Sequence, residues 1–241
     1  MIASTSTLRT IALENPATIR LFEQLHLDYC CGGNRPLAEV CAEKGIAVEA
    51  LLDALAKADN NYGGEPDLAL AAPTDLIQHI VQTHHAYIRN ELPRLQAMSE
   101  RVAAKHGKAH PETIFIDGHL RQLAEELLLH LNKEEQILFP YIIGLERSHS
   151  ENASAPNACF GSVQFPIQAM MHEHAEAGTL MEEMRSAAGD YTPPADACPT
   201  FVGLYHGLDA LEQDLHRHVH LENNVLFPAA MELEKEMPAV R

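Results

Sequence analysis

Apolar positions in this chain step by threes and fours through four long stretches, and no stretch shows apolar–polar alternation. That is the period of helix rather than strand. The first stretch follows Pro73-Thr74, with Thr74 as the expected N-cap, and runs from 75 to about 105. The second covers about 112 to 147, the third about 163 to 188, and the fourth about 200 to 235. Polar loops at 148–162 and 189–199 separate them. Four helices of this length with short connections predict an all-α fold built on a four-helix bundle.

Residues 1–59 read as a separate small helical domain. Asn15-Pro16 has the form of an N-cap followed by proline at the first helical position. Ile19, Phe22 and Leu25 or Leu27 give the helix after it an apolar face. Asp28-Tyr29-Cys30-Cys31-Gly32-Gly33-Asn34 must turn. Pro36 opens a second helix through Val40 to about 43, and a third begins at 48 and passes through Leu51, Leu52 and Leu55. Some sixty residues make a thin core, so this domain is expected to lean on another surface. Asn60-Asn61-Tyr62-Gly63-Gly64-Glu65-Pro66 is the clearest linker signal. The expected boundaries are 1–59, a linker 60–73, and a bundle 74–241.

Polar residues interrupt the apolar stripes in a matched way. In the second helix Ile116, Leu120, Leu123, Leu127, His130, Glu134, Ile137 and Tyr141 share one phase. In the fourth, Leu204, Leu208, Leu211, Leu215, His218, Glu222 and Val225 do so. Each stripe carries a histidine with a glutamate four residues on, and each pair runs into Leu-Phe-Pro at 138–140 and 226–228. Residues i and i+4 lie on one helix face about a turn apart. The third helix places His174 among Ile167, Met170, Met181 and Met184, with Gly178 between, while His172 falls off that phase. The first places His85 among Ile77, Val81, Ile88, Leu92 and Leu95. There His84 is a rival, because Ile77, Ile80 and Ile88 lie near its face. From His85 to His130 is 45 residues and from His174 to His218 is 44, so two helix–loop–helix halves carry the same arrangement.

A single His-x-x-x-Glu is ordinarily a surface hydrogen-bonded pair. Two matched sets on interior stripes are different, because a buried carboxylate without compensation costs several kcal/mol. A metal supplies that compensation. Six ligands exceed the four of a structural zinc. Two carboxylates can bridge two metals, leaving two histidines for each, and mixed imidazole and carboxylate ligation with open positions suits iron or manganese. The expected cofactor is two iron ions with an oxo or hydroxo bridge, Glu134 and Glu222 bridging and the histidines terminal.

Composition narrows the partners. The formal net charge is −17, which argues against nucleic acid or an anionic membrane as partner. No apolar run approaches the roughly 20 residues of a membrane span. The five cysteines are odd in number and Cys30 and Cys31 are adjacent. That is a poor disulfide framework and points to a reducing cytoplasm, as does the absence of a charged-then-apolar leader pattern over the first nine residues. Fifteen histidines in 241 residues are the unusual count, since histidine is the commonest metal ligand.

The bundle with these paired motifs resembles a hemerythrin-like domain. The whole chain, with the Cys-Cys-Gly-Gly turn at 30–33, the 130–140 motif and Leu221-Glu222-Asn223-Asn224-Val225-Leu226-Phe227-Pro228, resembles the repair-of-iron-centres (RIC) proteins of the YtfE/ScdA type. The resemblance implies His85, His130, Glu134, His174, His218 and Glu222 as ligands, with His85 preferred over His84 by its distance before Leu92-Pro93. It also implies repair of iron–sulfur clusters damaged by oxidative or nitrosative stress, through iron donation or through nitric oxide reduction at the di-iron site. The partners would then be damaged iron–sulfur proteins, nitric oxide and an electron donor, with a homodimer left open. Oxygen-carrying hemerythrins have a second histidine one turn beyond the third-helix ligand, where Gly178 stands here. An open site of that kind favours chemistry or iron release over the alternative, a reversible O2 or NO sensor or store.

Four further residues are candidates for the chemistry. Cys30 and Cys31 sit in a glycine turn ahead of a helix, where a thiol relay for iron, NO or a redox partner is expected. Glu126, one turn before His130, and Glu173, directly before His174, are candidate outer partners or proton relays near the metals. Cys41 shares an apolar phase and is expected in the core.

Overall fold

The computed structural model describes residues 2–30, 32–58, 68 and 71–237. Cys31 and the expected linker at 60–66 lie outside the described residues. Every regular element among the described residues is helical, so the fold is all-α. The one extended pairing is an isolated antiparallel bridge between Thr7 and Pro36. The chain forms two compact units. One is Met1–Ala72 with His216–Pro228, and the other is Pro73–Leu215 with Ala229–Arg241.

The first unit contains α1 (Leu8–Glu14), α2 (Ile19–Gln24), α3 (Leu37–Lys44) and α4 (Val48–Lys57). The helix α1 has no counterpart in the sequence expectation, because seven residues give under two turns of periodicity. Its signal is Thr7, whose side chain caps the Thr10 amide at 3.1 Å. Asn15 caps the short 3-10 turn Pro16–Thr18 ahead of α2, accepting from the Ala17 amide. Gly45, at φ 68, ends α3 in the left-handed conformation that glycine tolerates. Leu8, Ile11, Phe22, Leu27, Tyr29, Leu37, Leu51 and Leu55 pack into one buried cluster, and Cys41 is buried with them.

The turn at 28–36 is held from both sides. Asp28 accepts hydrogen bonds from the Cys30 amide at 2.9 Å and the Gly32 amide at 2.7 Å. The carbonyls of Gly33 and Arg35 accept from the amides of Arg9 and Leu8. A Cβ on Gly33 would stand 2.2 Å from the Tyr29 carbonyl oxygen. Only glycine fits there, because the obstacle is backbone.

Four long helices dominate the rest. α5 spans 73–106, as an α-helix Pro73–Ile80, a π turn Val81–His85 and an α-helix Ala86–His106. α6 spans 112–150, as Glu112–Lys133, a π turn Glu134–Leu138 and Phe139–Ser150. α7 is Gln164–Ala187. α8 spans 199–236, as Pro199–Leu221, a π turn Glu222–Leu226 and Phe227–Glu236; its 216–228 segment belongs to the first unit. Leu92, Leu95, Ile116, Leu120, Leu123, Met181, Met184, Leu204, Leu208 and Leu211 share one core drawn from all four helices. Two helix starts are capped by carboxylates from elsewhere in the unit. Glu146 takes the Thr74 amide and hydroxyl, so Thr74 is a donor rather than the N-cap expected of it. Glu234 takes the Val163 amide, the Ser162 hydroxyl and the Tyr141 hydroxyl.

The π turns re-phase the helices that carry them. In two cases the amide closing the wide turn reaches five residues back, from Phe139 to the Glu134 carbonyl and from Phe227 to the Glu222 carbonyl. The next residue in each case is proline, which has no amide to donate and whose ring crowds the carbonyl four back. The consequence is visible at Ile137, expected in the core but 51% exposed, while Leu138 takes its place at 1%. The extra residue per turn advances the buried face by one position.

Gly33→Ala is expected to destabilise the protein by about 1–3 kcal/mol through overpacking against backbone. Thermal unfolding followed by circular dichroism checks this, and an unchanged midpoint would show that the turn can open at no cost.

Candidate metal centre

The six expected ligands are all buried, and Glu134 and Glu222 are fully so. His85 closes the π turn of α5. His130 and Glu134 straddle the junction where α6 widens, and His218 and Glu222 do the same in α8. His174 stands on the buried face of α7. The i, i+4 pairs repeat closely: His130 Nε2 is 3.2 Å from Glu134 Oε1, and His218 Nε2 is 3.0 Å from Glu222 Oε1. His85 Nε2 lies 3.5 Å from the other oxygen of Glu134.

Ligand atoms fall into two groups of four, each within 4.8 Å throughout: His85, Glu134, His218, Glu222, and His130, Glu134, His174, Glu222. Each group holds two histidines, and both glutamates occur in both groups. His84 is not a member. It is buried too, but its Nδ1 is 2.9 Å from Asp214 Oδ1.

The donors converge as lone pairs. His85 Nδ1 is 2.8 Å from Glu135 Oε1, and His130 Nδ1 is 2.8 Å from Glu173 Oε2. A carboxylate can only accept, so each Nδ1 carries the proton and each Nε2 lone pair points inward. His130 Nε2 and His174 Nε2 then approach to 2.9 Å, which leaves at most one proton between two nitrogens. Among the described residues neither oxygen of Glu134 has a hydrogen-bond donor, and the side chain is fully buried. A fully buried carboxylate amid inward-facing imidazoles is a costly arrangement that a divalent cation resolves, so the residues present fit a metal pair.

Glu173 therefore stands where an outer partner of a ligand would stand, and it also pairs with Lys133. Glu126 does not. It is exposed and hydrogen-bonded to Gln122, because the buried face of α6 runs through Leu123, Ala124, Leu127, His130 and Leu131 and leaves 126 at its solvent edge. Glu135 went unrecognised in the sequence although it has the same place on His85 as Glu173 on His130, with Arg89 3.0 Å away. Its only signal was adjacency to a ligand. Cys30 lies in the 28–33 turn, buried, beside Asp28 and His216.

Burial pushes both Glu135 and Glu173 up. Hydrogen bonds from His85 and Arg89 to Glu135, and from Lys133 and His130 to Glu173, outweigh it and hold both carboxyls below their usual value.

Residues 76–230 match the Hemerythrin HHE cation binding domain, and residues 4–59 match ScdA_N, described as a Domain of Unknown function (DUF542). The iron-sulfur cluster repair protein ScdA of Staphylococcus haemolyticus is 33% identical over 227 residues, 94% of this chain and 98% of that protein. The iron-sulfur cluster repair protein YtfE of Escherichia coli O157:H7 is 37% identical over 221 residues, 92% of this chain and 94% of that protein. A YtfE protein of Shigella boydii is 36% identical over the same length. This chain belongs to the ScdA/YtfE family. The hemerythrin-like match covers all six clustered residues, and the ScdA_N match covers the 28–33 turn. Among the described residues no helix is long and apolar enough to cross a membrane.

Removing the outer charge in Glu173→Gln should weaken iron binding by about 10–100-fold, read by competition with a chelator. The lowered carboxyls also set an acid limit. Each contributes stability in full above its ordinary value of about 4.3 and loses it as pH falls through the lower folded value. The metal-free protein should therefore lose thermal stability below about pH 4.3, and a Glu135→Gln/Glu173→Gln variant should lose it less steeply.

Proposed function

We propose that this chain is a di-iron protein that repairs damaged iron–sulfur clusters. One observation carries the di-iron reading: two ligand groups with two histidines each share Glu134 and Glu222. That is the pattern of two metals bridged by two carboxylates, since each group brings its own pair of histidines to the same two glutamates. Mixed imidazole and carboxylate ligation with positions to spare suits iron or manganese, and iron is preferred because the relatives are named for iron-sulfur cluster repair. The repair reading comes from the relatives, whose names state it, and it is preferred to a reversible sensor on that ground. In this reading residues 74–241 form the di-iron domain and 1–59 a second domain that serves it, in a reducing cytoplasm.

Bound at this site, a ferrous pair supplies electrons and open coordination positions for a small ligand such as nitric oxide, and it is itself the cargo if iron is donated. The protein's part is to hold and release. Glu135 and Glu173 fix the tautomer and ring plane of His85 and His130, so both present lone pairs without rearrangement. The Phe139 ring lies against His85 at 5.7 Å and 20°, which limits water on that side. Gly178, one turn beyond His174, withholds the extra ligand that would close the site. Cys30 and Cys31 are assigned to a thiol step in delivery, with damaged iron–sulfur proteins as clients and a separate electron donor if nitric oxide is reduced.

Glu134→Leu and Glu222→Leu should each bind less than about half the iron of the parent while remaining helical, since each removes a donor shared by both groups. Mössbauer spectroscopy of protein purified without oxygen reads the pair directly. Retention of a coupled pair in either variant would refute the bridging assignment. Reactivation of a damaged cluster enzyme by the parent, absent in both variants, is the expected functional outcome; reversible NO binding with no reactivation would instead mark a sensor.

A further inference from the structure

The first unit contains another convergence of metal-ligating atoms. One ligand atom each of Asp28, Cys30 and His216 lies within 4.8 Å of the other two. We propose that these three residues form a third metal site, separate from the paired centre, that binds one divalent transition-metal ion. Its role as a stop for iron in transit rests on the repair reading; its existence does not.

The donor set is the first argument. A thiol, an imidazole and a carboxylate together suit Fe2+, Co2+ or Zn2+ and do not suit Mg2+ or Ca2+, which take oxygen. At bond lengths of about 2.0–2.3 Å, tetrahedral donors stand roughly 3.3–3.8 Å apart. No two of the three atoms are more than 4.8 Å apart, so even the widest separation is within about an ångström of that spacing. With Cys30 as thiolate and His216 neutral, two negative charges balance the ion. Three protein donors leave a fourth position for water or an incoming ligand, as in labile rather than structural sites.

The proton on Cys30 is the second argument. Sγ is 3.1 Å from Asp28 Oδ1, so the thiol donates its proton along the line on which a shared cation would sit. A cation entering between them takes the place of that proton. The exchange balances as Cys30–SH plus M2+ giving Cys30–S–M+ plus H+, the proton leaving to solvent. No electron moves.

The third argument is that the site is built before any ion arrives. Both oxygens of Asp28 are fixed by backbone amides of the turn, and Gly33 allows the backbone approach that closes it. Tyr29, between the two ligands in sequence, lays its ring edge-on to His216 at 6.1 Å and to His220 at 5.4 Å. Its hydroxyl donates to Glu23 at 3.3 Å. Glu23 in turn accepts two hydrogen bonds from Arg217, at 2.6 and 2.8 Å. The neighbours of each ligand are thus tied to one another, and the turn is held against the His216 segment. Two residues are 200° apart around a helix, so His216 and the paired-centre ligand His218 occupy opposite faces of the same short piece of α8.

The test is a cobalt titration of full-length, iron-loaded protein without oxygen. One Co2+ per chain should bind with a thiolate-to-cobalt charge-transfer absorption and without release of iron. Cys30→Ser and Cys30→Ala should abolish the absorption, and Asp28→Asn and His216→Gln should each raise the dissociation constant at least tenfold. Iron content and circular dichroism of each variant verify that the paired centre and the fold persist. No such absorption in the parent, its survival in both Cys30 variants, its indifference to both Asp28→Asn and His216→Gln, or its appearance only as iron leaves would each overturn the third site. The readout involves no repair assay, so a failed repair reading and a failed third site give different results.

Discussion

Two carboxylates in a water-free interior are the constraint on which the rest of this protein turns. Among the described residues neither oxygen of Glu134 has a hydrogen-bond donor, and Glu222 is equally inaccessible. An apolar core tolerates that charge only if cations or donors meet it. The Nε2 atoms of His85 and His130 face Glu134 as acceptors, because Glu135 and Glu173 hold the opposite ring nitrogens as donors. Two imidazole lone pairs and a buried carboxylate therefore face one another at its centre. Metal turns that repulsive arrangement into a coordination shell, so loading and stability of the bundle are coupled by mass action.

The outer carboxylates carry a second charge relation. Arg89 and Lys133, both partly solvent-facing, pair with Glu135 and Glu173. Charge alternates outward from the ligands: imidazole, carboxylate, basic side chain. Each histidine thus reports, through one hydrogen bond, on an ion pair that solvent and salt can reach. The inner shell is sealed, but its basicity is set partly at the surface.

Much of this was legible in the sequence, and the failures have physical causes. The four long helices fell within a few residues of their expected bounds because their apolar period is sustained over twenty or more positions. The phase of the apolar stripes singles out five of the six clustered residues, and it leaves His84 beside His85, which the family resemblance prefers. Ile137 failed because a constant 3.6-residue period was carried through a turn that is wider, and the Leu-Phe-Pro that causes the widening was read only as part of a motif. Glu126 failed for a related reason, since i−4 from a ligand lies about 40° round the helix and here that crosses from interior to solvent. Glu135 and Asp214 escaped notice because an outer hydrogen bond between helices leaves no periodic trace in either one. The turn at 28–36 was legible as a turn, but its fixing by Arg9 and Leu8 amides was not, since those partners come from a helix too short to show a pattern.

The wide turns mean that the ligand motif is not portable. Someone transplanting His-x-x-x-Glu pairs into a straight, idealised bundle would reproduce the sequence and miss the geometry. An unbroken α-helix keeps one face toward the core along its whole length, so whatever follows the glutamate would be out of register by a residue. The Leu-Phe-Pro that follows each pair helps build the site although none of its residues is among the six clustered donors. It lets the helix serve one alignment for leucines above the glutamate and another for the residues below. A graft would have to carry the proline and its extra residue along with the donors, and its success would be judged by whether Ile137 of the motif ends in solvent.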